Sequence, residues 1–236
     1  MNVAAAQAGI LTPQEWDVIA LSLKVSAVAV AGMLPIAFGL AWVLARTRMP
    51  GKLLLDALVH LPLVLPPVVT GWLLLLAFGA NGPMGGLLAR AFGASLMFRW
   101  TGAALAAAIM ALPLMVRAMR ISIENVDRRF ENAARTLGAG RWHVFRTITL
   151  PLASPGLLAG AVLGFARSIG EFGATITFVS NIPGETRTIP LAIYSALQMP
   201  GGETAVTRLA VIAVILSLLA LAASEWLTRR SGHGKL

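Results

Sequence analysis

Two charged residues four apart, Arg167 and Glu171, interrupt the otherwise apolar stretch GFARSIGEFGATITF, residues 164–178. At helical spacing they share a face and can pair. Inside a bilayer each charge costs roughly 2.5–3.5 kcal/mol and faces a bundle interior or a wet cavity. The pair fits two roles: an ion pair locking its helix to neighbours, or part of a translocation pathway. Asp56 and His60, also four apart, read as interfacial residues tied to a nearby basic loop. One His and one Asp are too few ligands for a metal site, so no metal and no cofactor is expected. A phosphate-cradling loop needs G-x-x-x-x-G-K-[ST]. The Gly-Lys pairs, Gly51-Lys52 and Gly234-Lys235, lack the upstream Gly and are each followed by Leu. With no Cys, thiol chemistry and disulfides are excluded. No catalytic residues emerge, and the chain is expected not to be an enzyme.

The elements that carry these residues are unusually apolar. Of 236 residues, 57% are hydrophobic and 12% charged, against about 25% charged in soluble domains. That composition indicates an all-α integral membrane protein with one transmembrane domain over residues 1–236. The net charge of +9 suits basic membrane edges. Nucleic-acid binding is not expected, because stacked aromatics on a basic surface are missing. The opening MNVAAAQAGILTPQEW lacks the basic n-region of a signal peptide. Thr12, Pro13 and Glu15 read instead as N-cap, N1 and N3 of a helix.

A spanning helix takes about 20 mostly apolar residues. Five segments qualify, at about 18–45, 53–79, 100–121, 155–179 and 205–227. A sixth run, Ile189 to Met199, is too short to span and suits a re-entrant or interfacial helix. Pro66 and Pro67, followed by Thr70, break the second span. The freed carbonyls need cover from protein or a cavity, so these residues are either a packing kink or pore-lining. The loops after spans one, three and five hold thirteen Lys and Arg, the other loops four. The positive-inside rule then puts the N-terminus outside and the C-terminus in the cytoplasm.

The loop at 122–151 faces the cytoplasm in that orientation and holds RRFENAARTLGAGRWHVFRTITLP. Phe130, Ala133, Ala134 and Leu137 form one helical stripe, and Trp142, Phe145 and Ile148 a second. Gly138-Ala139-Gly140 permits a turn between them, and Pro151 is expected to end the second helix. Such a hairpin suits either anionic lipid or a groove on another protein. Ala133-Ala134, three residues, Gly138, nine residues, Ile148-Thr149-Leu150-Pro151 resembles the EAA loop of permease subunits of bacterial ATP-binding-cassette importers. The family's Glu falls on Asn132, with Glu131 one residue earlier, so either residue is a candidate for its contact. The resemblance implies that Glu131, Asn132, Ala133, Ala134, Leu137, Gly138 and Trp142 dock on a separate ATP-binding subunit. It further implies two copies of that subunit, a homodimer of this chain, an extracytoplasmic substrate-binding protein and residence in a bacterial inner membrane.

Residues 164–198 are similar to the corresponding stretch of molybdate permeases, closest at Asn181-Ile182-Pro183-Gly184 and Ile189–Tyr194. Sulfate and thiosulfate permeases share the Arg167–Ala174 portion and diverge after residue 182. The resemblance implies molybdate or tungstate as cargo, with sulfate or thiosulfate the alternative. A non-transporting membrane scaffold is the rival of another class.

Overall fold

The computed structural model describes residues 11–93 and 95–232, and every described regular element is helical. Helix α1, Pro13–Arg46, opens on the expected capping box. The Glu15 amide donates to Thr12 Oγ1 at 3.3 Å, and the Thr12 amide donates to Glu15 at 2.7 Å. Its 34 residues contain the first expected span. Helix α5, Trp100–Glu124, contains the third, and α11, Glu203–Gly232, the fifth. Lys235, counted among the basic residues after span five, lies outside the described residues.

The second expected span is not a single kinked rod. It consists of α2, Lys52–Val64, and α3, Pro67–Phe78, bent by 116°. Leu65 and Pro66 are extended, with ψ of 142° and 136°. Two consecutive prolines explain the break: neither has an N–H to donate, and each pushes the preceding residue out of the α region. A short helix, α4, Pro83–Phe92, follows in a segment where no helix was expected.

The fourth expected span, 155–179, is also divided. Two short helices precede it: α6, Arg128–Thr136, and α7, Arg141–Val144. From Arg141 the chain then runs as one 29-residue helix to Ile169. Pro151 therefore does not stop the second hairpin helix. Phe145–Thr149 forms a π turn, in which the Leu150 amide donates to the Phe145 carbonyl five residues back. The widened turn precedes the position where Pro151 supplies no donor, and Pro151 enters the first turn of α8, Leu150–Ile169. At Gly170–Phe172 the helix breaks, and α9, Gly173–Val179, starts in its place. Helix α10, Ile189–Leu197, occupies the short run and buries Ile189 and Leu191.

The core lies where α1, α5 and α8 pack together. Ala103, Ala104, Ala106, Ala107, Ala108 and Ala111 of α5 are buried in it, and small side chains let membrane helices approach closely. On α8, a Cβ at Gly164 would lie 2.7 Å from Met115 Cγ, and one at Gly156 would collide with Ser122. Gly156→Val is therefore expected to destabilise the α5–α8 contact by at least ~1–3 kcal/mol, the usual cost of overpacking. Thermal unfolding in detergent checks this against Gly86→Val, because a Cβ at Gly86 meets nothing within 4 Å. Equal melting of both variants would refute it. A smaller cluster joins Val18 and Ile19 of α1 to Ile189 and Ala192 of α10 and Leu209 of α11. Arg208 of α11 pairs with Glu15 at 2.9 Å beside it.

Candidate functional site

The hairpin of α6 and α7 is built by local signals. Asp127 caps α6, its side chain accepting from the Arg129 amide at 2.8 Å. The helix ends where the Ala139 amide donates to Ala134 O and the Gly138 amide to Arg135 O, both at 3.0 Å. This Schellman closure needs a left-handed residue after the cap. Gly138 supplies it with φ +86°, a conformation that costs side-chain-bearing residues roughly 1–2 kcal/mol.

Glu131 is turned inward. Its Oε1 accepts from Arg46 Nη2 at 3.1 Å and from Thr149 Oγ1 at 2.7 Å, and the residue is buried. The hairpin is thus latched at its root to the last turn of α1 and to the π turn. Asn132 stays exposed, as does Ala133, while Ala134 is half-buried. Leu137 is 89% exposed, Trp142 67% and Phe130 59%. Large apolar side chains at that exposure, on a hairpin held rigidly from behind, form a face suited to burial against another surface. Trp142 is also anchored, stacking on Phe145 with centroids 5.2 Å apart. Phe145 meets the Trp42 ring edge-on at 5.2 Å. Arg46, Trp42 and Thr149 were not singled out from sequence. Arg46 stood only as a basic loop residue, and no local spacing links it to a glutamate 85 positions away.

The second candidate group lies at the break between α8 and α9. Arg167 Nη1 meets Glu171 Oε2 at 2.7 Å, so the pair forms, but across a helix end rather than along one continuous face. Glu171 is 3% exposed and its Oε1 also accepts from the Ala174 amide at 2.8 Å. A cation in the last turn of α8 and a carboxylate just ahead of α9, accepting from an amide of its first turn, both suit the helix dipoles. Helix α3 packs against α9. A Cβ at Gly173 would lie 2.7 Å from Pro67 Cβ, and one at Gly71 only 2.6 Å from the Ala174 carbonyl. Pro66 and Pro67 thus stand at one broken helix that packs on another. Thr70 is buried there, with its hydroxyl unpartnered. Discontinuous helices meeting in this way are the usual substrate-handling elements of membrane transporters.

Asp56 on α2 pairs with Arg120 on α5 at 3.1 Å and with His60 at 3.3 Å, and Arg120 also meets Glu124 at 2.9 Å. Lys24 stands 3.8 Å from the centre of the Trp100 ring.

The sequence profile of the binding-protein-dependent transport system inner membrane component family matches residues 33–233. The chain belongs to this family. Among its relatives, the molybdenum transport system permease protein ModB of Escherichia coli K12 is 59% identical over 222 residues, covering 94% of this chain and 97% of that protein. The sulfate transport system permease protein CysT of the same organism is 39% identical over 229 residues, covering 93% of this chain and 82% of its own. Among solved structures, a bacterial transporter that imports the polysaccharide alginate superimposes with a TM-score of 0.70 at 19% identity, covering 93% of this chain and 80% of that one. This last likeness speaks for the shared fold.

Proposed function

We propose that this chain is the permease subunit of a molybdate importer, carrying tungstate as the nearest chemical analogue. The observation that carries the cargo assignment is the 59% identity to ModB over nearly the whole of both chains, against 39% to the sulfate permease CysT. Residues 1–236 act as one transmembrane domain, with the N-terminus outside and the hairpin and C-terminus in the cytoplasm. Two copies of the chain enclose the pathway, and an extracytoplasmic binding protein delivers cargo to them. Two copies of a separate ATP-binding subunit dock on the hairpins and hydrolyse ATP.

In this reading Leu137, Trp142 and Phe130 seat in a groove of the ATP-binding subunit, with Asn132, Ala133 and Ala134 at the same contact. Closure of the two ATP-binding subunits displaces the hairpins, and the Arg46–Glu131–Thr149 latch passes the displacement to α1 and α8. The pathway opens and closes as rigid bodies move. Pro66, Pro67 and Thr70 line it beside the α8–α9 break, and Arg167–Glu171 holds that break in register.

Labelled molybdate uptake tests the cargo, in cells that lack their own oxyanion importers and express this chain with its cognate ATP-binding and binding proteins. Uptake that survives excess sulfate and yields to tungstate is the expected result. Uptake abolished by sulfate would move the chain to sulfate transport. A Cβ at Gly138 meets nothing within 4 Å inside this chain, so a large side chain there acts on the turn and on what docks there. Gly138→Trp is expected to abolish co-purification of the ATP-binding subunit while the chain still inserts. Retained co-purification would favour a scaffold whose hairpin lies on lipid.

A further inference from the structure

A cavity of about 550 Å³ opens between the end of α1 and the hairpin, walled in part by Trp42, Arg46, Arg128, Glu131, Arg135 and Arg141. Four of these are guanidinium groups. The single carboxylate, Glu131, is already engaged by Arg46 and Thr149. Arg128, Arg135 and Arg141 form no ion pair among the described residues. The Arg46 side chain is only 10% exposed, and its Nε is buried without an acceptor. Most buried polar groups in folded proteins are satisfied, by protein, ordered water or a bound ion. The cavity therefore has donors and positive charge in excess and lacks acceptors. Its complement is an anion with several oxygens.

The place in the fold selects which anion. Arg46 is the last residue of α1, a helix long and apolar enough to cross a membrane. Trp42 stands one turn before it, in contact with Phe38 and Phe145. Trp favours the depth of lipid headgroups, and clusters of Arg and Lys at the end of a spanning helix attract anionic lipids. We infer that this cavity holds the phosphodiester headgroup of an anionic phospholipid, bound by Arg46, Arg128, Arg135 and Arg141. The lipid ties the root of the hairpin to the membrane surface, so the seating of the hairpin depends on the lipid around it. Inorganic phosphate shares the chemistry but has no acyl chains to hold it beside Trp42.

Native mass spectrometry of the full chain in detergent tests this by titration with dioleoyl-phosphatidylglycerol and with dioleoyl-phosphatidylcholine. The wild type is expected to retain phosphatidylglycerol preferentially. Arg135→Gln/Arg141→Gln is expected to weaken that binding about 25-fold, at about fivefold for each charge removed near a membrane surface. Arg135→Lys/Arg141→Lys keeps the charge and should stay within about fivefold of wild type, which separates lost charge from lost fold. Arg48→Gln, basic but outside the cavity, should leave binding unchanged. Equal retention of the two lipids, or a Gln double variant that binds as wild type does, would overturn the inference. Displacement of the lipid by excess inorganic phosphate would overturn it in favour of a soluble anion. Loss of ATP-binding-subunit co-purification in the Gln double variant, with the lipid titration unchanged, would overturn it in favour of an acidic protein partner.

Discussion

Glu131→Ala is expected to release the hairpin from the membrane domain and stop transport, while the spanning helices insert and pack as before. The carboxylate holds both Arg46 and Thr149, and all three groups lie at the root of the hairpin. Removing one partner of a buried ion pair costs ~3–5 kcal/mol, because the other charge is stranded. Here the stranded group is a guanidinium whose Nε already lacks an acceptor. The cost falls first on the docking of α6 at the ends of α1 and α8, beside the buried apolar cluster and not within it. Uptake and stimulated ATP hydrolysis should therefore drop to background, and the detergent melting temperature of the chain should fall, while the spanning helices still insert. Asn132→Ala, at an exposed position, should stay within about 0.5 kcal/mol on the same stability measure. Uptake lost in Asn132→Ala and kept in Glu131→Ala would refute the latch and place the coupling contact at the exposed position.

Arg167→Ala is expected to harm folding more than cargo choice, by ~3–5 kcal/mol. It strands a Glu171 carboxylate whose side chain is 2% exposed, next to a helix break. Arg167→Ala/Glu171→Gln should recover most of the loss, because glutamine is neutral and still accepts from the Ala174 amide. The double variant is expected within ~1–2 kcal/mol of wild type, the worth of the weakened hydrogen bond. Such recovery is the signature of coupled neighbours in a double-mutant cycle. If Arg167→Ala instead melts normally and its uptake loses selectivity among oxyanions, the arginine faces cargo and the structural reading fails.

The long apolar helices were legible because a spanning helix states its length and composition locally. The capping box at Thr12–Glu15 and the Gly138 turn were legible for the same reason: each is complete within a few residues. The Pro66-Pro67 break was readable as a break, but its 116° bend depends on α3 packing against α9. The break at Gly170–Phe172 was missed because Arg167 and Glu171, four apart, read as a pair along one continuous helix, and Gly170 and Gly173 are weak punctuation in an apolar run. Pro151 misled for the opposite reason. It is a strong local stop signal, and the π turn before it let the helix pass. The latch on Glu131 was out of reach, since its partner Arg46 lies on another helix 85 positions away.

The unbroken helix from Arg141 to Ile169 has a mechanical consequence. At 1.5 Å per residue, 29 residues make a rod about 43 Å long. Gly156, Gly160 and Gly164 press it against α5, and in the proposed coupling that contact is where the rod would pivot. The arm from that contact to the hairpin is about 28 Å long, and the arm to the Gly170 break about 14 Å. In the proposed coupling, a lever of these proportions would halve displacement and double force, so a push of a few ångströms at Trp142 would arrive at the break as a shorter, stronger one.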